Sequence, residues 1–179
     1  MTVIIAVFGK KKSGKTAVIE ALIRALNNDN LTITAAKHVH HADFSIDNPS
    51  KDSWRFGKAG ARRVFIFSPN ELVSIEKTSG NEVDEERLLN IISDSATDIV
   101  FLEGFYQTLA RNSRVYKLVV GRDSGDVADI VRGCHEPLLG CALLGNDDKS
   151  NEVLKAGKTY KLWDDFNELV RDIRALARR

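Results

Sequence analysis

The chain has 179 residues, 43% of them apolar and 28% charged, with a formal net charge of +1. That length supports one domain with a sizeable core, and the composition excludes a disordered chain, a collagen-like repeat and a disulfide scaffold. The near-zero charge gives no sign of a general nucleic-acid binder, although a local basic patch could still hold phosphate.

Val3 to Phe8 is a nearly continuous apolar run, as expected of a central parallel strand covered on both faces. Gly9 ends it. From Thr16 onward, Val18, Ile19, Leu22, Ile23 and Leu26 recur at helical spacing, and Asn27 to Asn30 supply a polar break. Leu31 to Lys37 reads as a second strand. His38 to Lys51 contains Pro49 and no helical period, so it is a loop, and Asp52 to Ala61 follows as a short helix capped by Asp52 or Ser53. Arg63 to Phe67 and Leu72 to Glu76 are strand-like runs around Ser68, Pro69 and Asn70, the pattern of a hairpin.

Glu82 to Ser95 reads as a helix with acids in its first turn and Leu88, Leu89, Ile91 and Ile92 on its buried side. Asp98 to Leu102 is a further buried strand that runs into Glu103 and Gly104. Val115 to Val120 and Leu138 to Leu144 are strands separated by a helix around Val127 to Val131. The last helix carries Leu162, Trp163, Phe166, Leu169, Val170, Ile173 and Leu176 at three- and four-residue spacing, with arginines at its end, where they suit the dipole. Strands alternating with helices predict an α/β three-layer sandwich whose central sheet is mostly parallel and made mixed by the hairpin. Residues 1–179 read as a single domain. Cys134 and Cys141 lack CxxC spacing and lie among apolar residues, which favours buried free thiols and a reducing compartment. MTVIIAVF is too short to span a membrane and no small-residue cleavage site follows it, so the expectation is a cytoplasmic protein.

GKKKSGKT, Gly9 to Thr16, fits G-x-x-x-x-G-K-[ST] at every fixed position. In such a loop the backbone N–H groups point inward around phosphates, the lysine reaches the β and γ groups, and the hydroxyl takes a place on Mg²⁺. Glycine is needed where a side chain would block that wrap, and the following helix adds its positive end. The bare pattern arises by chance in roughly one chain in a hundred of this length. Its position between a buried strand and an amphipathic helix lowers that further. A P-loop nucleotide-binding fold is therefore expected, with Gly9, Lys10, Lys12, Ser13, Gly14, Lys15, Thr16 and Ala17 around the phosphates.

A phosphate loop that uses Mg²⁺ needs a nearby acid to hold the metal's remaining water shell. Glu103 ends an apolar strand, where ligands of open α/β sheets collect, whereas Asp98 begins the same strand at the opposite edge. KHVHH, Lys37 to His41, holds three of the chain's four histidines. If the strand continued through it, His38 and His40 would share one face and His41 the other, so the three could not simply form one metal site. With Lys37 and His38 at the end of the second strand, a polar loop facing phosphate is the better reading.

The order of these segments, a phosphate loop, then KHVHH with Asp43 and Asp47, then KDSWRFGKAGA, then LEGF, is similar to the MobB family of molybdopterin-guanine dinucleotide biosynthesis proteins. The similarity covers roughly Thr2 to Arg122. It implies a GTP-binding protein with weak GTPase activity that assists a partner guanylyltransferase in joining GMP to molybdopterin. It also implies a homodimer, with molybdopterin or molybdopterin guanine dinucleotide as a further ligand. Carried onto this chain, it places Lys15, Glu103 and Asp52 in catalysis, Thr16, Glu103 and Asp52 on Mg²⁺, and Lys37, His38 and His41 with the phosphate loop in ligand binding. Lys37, His38, His41, Asp47, Lys51 and Asp52 match the family's polar loop.

Two departures qualify this resemblance. Ser50 stands where the family often has glycine, and no N-K-x-D guanine-reading motif is present, since GNDDK, Gly145 to Lys149, has the wrong spacing. Base preference therefore rests on the resemblance. Two other readings remain at this stage. One is a small-molecule kinase using Arg111 and Arg114. The other is a metal-delivery GTPase using the histidines with Cys134 and His135.

Overall fold

The computed structural model describes residues 2–41, 43–78, 84–93, 96–145 and 158–178. In chain order its elements are β1 (Val3–Phe8), α1 (Lys15–Asn27), β2 (Ile33–Lys37), α2 (Asp52–Lys58), β3 (Arg63–Phe67), β4 (Leu72–Glu76), α3 (Glu85–Ser93), β5 (Ile99–Glu103), α4 (Tyr106–Leu109), β6 (Tyr116–Gly121), α5 (Ser124–Arg132), β7 (Leu138–Leu143), β8 (Thr159–Lys161) and α6 (Leu162–Ala177). They divide into two compact units, one of Met1–His38 with Val83–Arg179 and the other of Val39–Glu82.

The first unit is built on a six-stranded sheet in the order β2-β5-β1-β6-β7-β8, with every pairing parallel. Parallel strands require covered faces, and the sequence supplies apolar residues at both parities of the strand period. Val3, Ile5 and Val7 of β1, with Ile99 and Phe101 of β5, pack into one cluster together with Val18 and Leu22 of α1 and Leu169 and Ile173 of α6. Ala6 and Phe8, with Val100 and Leu102, pack into a second cluster with Leu88 and Leu89 of α3, Leu109 of α4 and Val127 of α5. Each fully buried Leu, Ile or Phe contributes about 1.5–3 kcal/mol of transfer free energy, so the two layers fix β1 and β5 rigidly. Lys117 is also fully buried in β6, where its ammonium donates to the carbonyl oxygens of Asn112 and, at 3.5 Å, Glu136.

The second unit pairs α2 with an antiparallel hairpin of β3 and β4, in register from Arg63↔Glu76 to Phe67↔Leu72. Ser68 closes the turn: its Oγ accepts from Glu71 N at 2.9 Å, and its own N–H donates to the Glu71 carbonyl at 2.9 Å. The hairpin forms its own two-stranded sheet and does not enter the six-stranded one. Phe65, Phe67 and Leu72 are exposed on it.

The layered α/β architecture agrees with the sequence reading, but among the described residues the hairpin strands pair only with each other, so the central sheet is wholly parallel and not mixed as expected; four local expectations are corrected as well. The N-cap of α2 is Lys51, with no side-chain cap, so neither Asp52 nor Ser53 fills that role. Ile91 is 62% exposed, because the buried stripe of α3 runs through Leu88, Leu89 and Ile92. Trp163 is 77% exposed, because α6 buries Leu162, Leu169, Val170 and Ile173 instead. β2 ends at Lys37, so strand alternation does not reach the histidines. The outer ends of the Glu82 to Ser95 helix and residues 146–149 of the GNDDK stretch lie outside the described residues. Among the described residues, no helix is long and apolar enough to cross a membrane.

Candidate functional site

The site lies in the first unit, at the C-terminal edge of its sheet. Parallel register sets Val7 opposite Glu103, and Lys37 opposite Glu103 on the other side, so three neighbouring strand ends meet at one carboxylate. After β1 the chain turns through Gly9 to Gly14 and enters α1. Gly14 caps that helix at φ 84, a left-handed conformation that suits glycine, and its carbonyl accepts from Val18 N at 3.0 Å. Lys12 also sits at φ 62, which costs a residue with a Cβ about 1–2 kcal/mol. A Cβ on Gly9 would overlap the carbonyl oxygen of Val120. The loop is thus closed against β6 and leaves a concavity of about 510 Å³, lined by Lys12, Ser13, Gly14, Lys15, Thr16, Ala17, Lys37 and Glu103.

Lys15 folds back over the loop, donating to the carbonyl oxygens of Gly9 at 2.9 Å and Lys10 at 2.7 Å. Burial pushes its pKa below the usual lysine value, against the opposing pull of Glu103. Glu103 takes two hydrogen bonds, from Thr16 Oγ1 to Oε2 at 2.8 Å and from Lys37 Nζ to Oε1 at 2.8 Å. Partial burial raises its pKa, but those bonds and the charges of Lys37 and Lys15 outweigh it, and the carboxyl stays below its ordinary range. Glu103 is therefore ionised at neutral pH. Ser13 is 1% exposed, and its Oγ has no hydrogen-bond partner among the described residues. A hydroxyl and a carboxylate 2.8 Å apart form the hard-oxygen donor set that Mg²⁺ takes, and the glycine cradle with its lysine suits phosphate. The residues present fit both groups.

Lys10 is not among the residues that line the concavity: its ammonium pairs with Asp126 Oδ1 at 3.2 Å. Asp126 also accepts from Arg122 Nε at 2.7 Å, and this bond in particular holds its carboxyl well below the usual range. Asp123 caps α5 by accepting from Asp126 N at 2.9 Å. The brace from α5 to the phosphate loop was missed by sequence reading. The D-x-x-D pattern marks a helix start but gives no hint of a partner at Lys10.

His38 stacks on Phe105, with ring centroids 4.9 Å apart, and its N–H donates to the Glu103 carbonyl at 2.9 Å. The structure therefore gathers Gly9, Ser13, Gly14, Lys15, Thr16, Lys37, His38 and Glu103 within one unit. His41 and Asp52 belong to the other unit, where His41 is exposed and Asp52 Oδ1 accepts from Arg55 at 3.1 Å. That unit has a larger concavity of about 600 Å³, lined by Phe56, Phe65 and Phe67 among others. Its lining includes no glycine, and Lys51 and Asp52 stand among the apolar residues. Arg111 and Arg114 are exposed on the turn after α4. Cys134 and Cys141 are free, with burial pushing their thiols up to about 11 and about 12, so neither is a ready thiolate ligand. Among the described residues, no group of three His, Cys, Asp or Glu side chains could hold a metal.

The model of the family described as molybdopterin guanine dinucleotide synthesis protein B, MobB, matches residues 4–140. The chain is 33% identical over 104 residues to the molybdopterin-guanine dinucleotide biosynthesis adapter protein of Haemophilus influenzae, covering 58% of this chain and 57% of that one. It is 31% identical over 112 residues to the Escherichia coli protein of the same name, covering 62% and 61%. The chain thus spans less than two thirds of the length of these curated relatives. The fold superposes on the crystal structure of Bacillus subtilis MobB with a TM-score of 0.71 at 20% identity, covering 96% of this chain and 97% of that one. A crystal structure described as molybdopterin-guanine biosynthesis protein B gives 0.70 at 24% identity, covering 99% and 100%. At those identities the likeness establishes the fold.

Proposed function

The chain belongs to the MobB family, and on that premise we propose that it binds Mg²⁺·GTP on the loop from Gly9 to Thr16 and assists a guanylyltransferase in attaching GMP to molybdopterin. The observation that carries the reading is the contact of Thr16 with Glu103 beside Lys15 at the mouth of the glycine loop. Lys15 would exchange the carbonyl oxygens of Gly9 and Lys10 for phosphate oxygens, and the N–H groups at the start of α1 would hold the same anion. Thr16 and Glu103 would hold Mg²⁺, which offsets phosphate charge when bound. Glu103 is ionised and already engaged by Lys37, so it is a weak proton acceptor. That property fits slow GTP hydrolysis and a role as an adapter more than as a fast hydrolase.

In the same proposal the protein is a cytoplasmic homodimer and residues 1–179 act as one nucleotide-binding domain. The exposed Phe65, Phe67 and Leu72 of the hairpin support pairing between copies. Molybdopterin or its guanine dinucleotide is the further ligand, and the preference for guanine follows from family membership. The test is reconstitution with the guanylyltransferase of the same organism, molybdopterin and GTP. Adding this chain should raise the yield of guanylated pterin, and the Lys15→Ala variant should not. An unchanged yield with the wild-type chain, or rapid phosphoryl transfer from ATP to a small acceptor, would refute the adapter reading.

A further inference from the structure

The exposed indole of Trp163 has no place in the core, yet it is held in a defined position. β8 runs directly into α6, so Trp163, the second residue of that helix, stands at the sheet edge where β1 and β5 deliver Gly9 and Glu103. Ligands of open parallel sheets bind at that edge. Its Nε1 donates to the carbonyl oxygen of Leu144 at 3.0 Å. Leu144 is fixed in turn, its N–H donating to Gly121 O at 2.9 Å, and its side chain fills the space that a Cβ on Gly14 would occupy. One residue therefore separates the indole from the last glycine of the phosphate loop.

We propose that Trp163 is the stacking platform for the purine ring of the nucleotide held by that loop. The tether uses the indole's single polar group and not its π faces. Among the described residues no ring or cation stacks on them. A large apolar ring that is 77% exposed gains by covering one face, and a purine offers a matching surface. Stacking accepts any purine, so this contact adds affinity without choosing GTP over ATP. That suits a chain with no N-K-x-D motif. Trp163 lies outside residues 4–140, which match the family, so the assignment comes from this structure.

The inference rests on nucleotide binding at the phosphate loop, and one experiment separates the two claims. In a Trp54→Phe background Trp163 is the only tryptophan. Its emission is followed during titration with Mg²⁺·GTP and, separately, with Mg²⁺·tripolyphosphate, which carries the phosphates without a base. GTP should shift or quench the emission, and tripolyphosphate should change it little. Trp163→Ala should weaken GTP about tenfold and leave tripolyphosphate affinity unchanged, with Trp163→Phe restoring most of the loss. Wild-type GTP affinity in Trp163→Ala, or an equal loss of both ligands, overturns the platform alone. A wild-type chain that binds neither ligand overturns nucleotide binding and the platform with it.

Discussion

Replacing Lys15 with alanine should weaken GTP binding by two to four orders of magnitude while the protein stays folded. Among the described residues the ammonium donates only to the carbonyl oxygens of Gly9 and Lys10, both within its own loop. Those acceptors can turn to water when it is gone. Alanine also suits the first position of α1 and removes a charge that burial already disfavours. Stability should therefore move by no more than about 1 kcal/mol. With nucleotide bound, the same ammonium would make two charge-assisted hydrogen bonds to phosphate, each worth about 1.5–3 kcal/mol. Their loss corresponds to about 10²–10⁴ in affinity. Calorimetric titration alongside thermal unfolding separates the two effects: an unchanged GTP affinity would remove Lys15 from the site, and a collapse of Tm would make its role structural.

Gly9→Ala should damage both the loop and the fold. The added Cβ would meet the backbone oxygen of Val120 and the hydroxyl of Ser13. Val120 is buried in β6 beside β1, so its carbonyl cannot swing away as a side chain could. Relief has to come from moving the loop off β6, which distorts the cradle proposed to hold phosphate. Overpacking of this kind costs about 1–3 kcal/mol, a fall in Tm of roughly 2–12 °C for a chain of this size. GTP affinity should drop at least about tenfold. Gly60→Ala is the control, since a Cβ there meets nothing within 4 Å; its φ of 109 confines the penalty to local backbone strain. A Gly9→Ala protein with wild-type affinity and Tm would show that the tight closure against Val120 is not required.

The phosphate loop was legible because its chemistry is set by glycines and a lysine at fixed spacing, all contributed by one short segment. Glu103 and Lys37 were legible as polar ends of apolar runs, and parallel register explains why both arrive at the same edge. The Lys10–Asp126 brace was not, because it joins residues 116 positions apart through the packing of α5 on the sheet. β8 has three residues, too few to show a period against its surroundings. Trp163 and Ile91 were placed on buried faces because helical spacing identifies an apolar stripe but not its edges, where one residue of rotation exposes a ring. The histidines looked like a strand-ordered set, and the end of β2 at Lys37 removes that order.

The central claim is Mg²⁺-dependent GTP binding at the loop held between β1 and α1. It is tested most directly by calorimetric titration of the wild-type chain with GTP, first with Mg²⁺ and then with the metal chelated. One GTP per chain, bound at least about tenfold more weakly without Mg²⁺ and more weakly again in Glu103→Gln, is the predicted result. No heat of GTP binding, or an affinity indifferent to both Mg²⁺ and Glu103, would contradict the account.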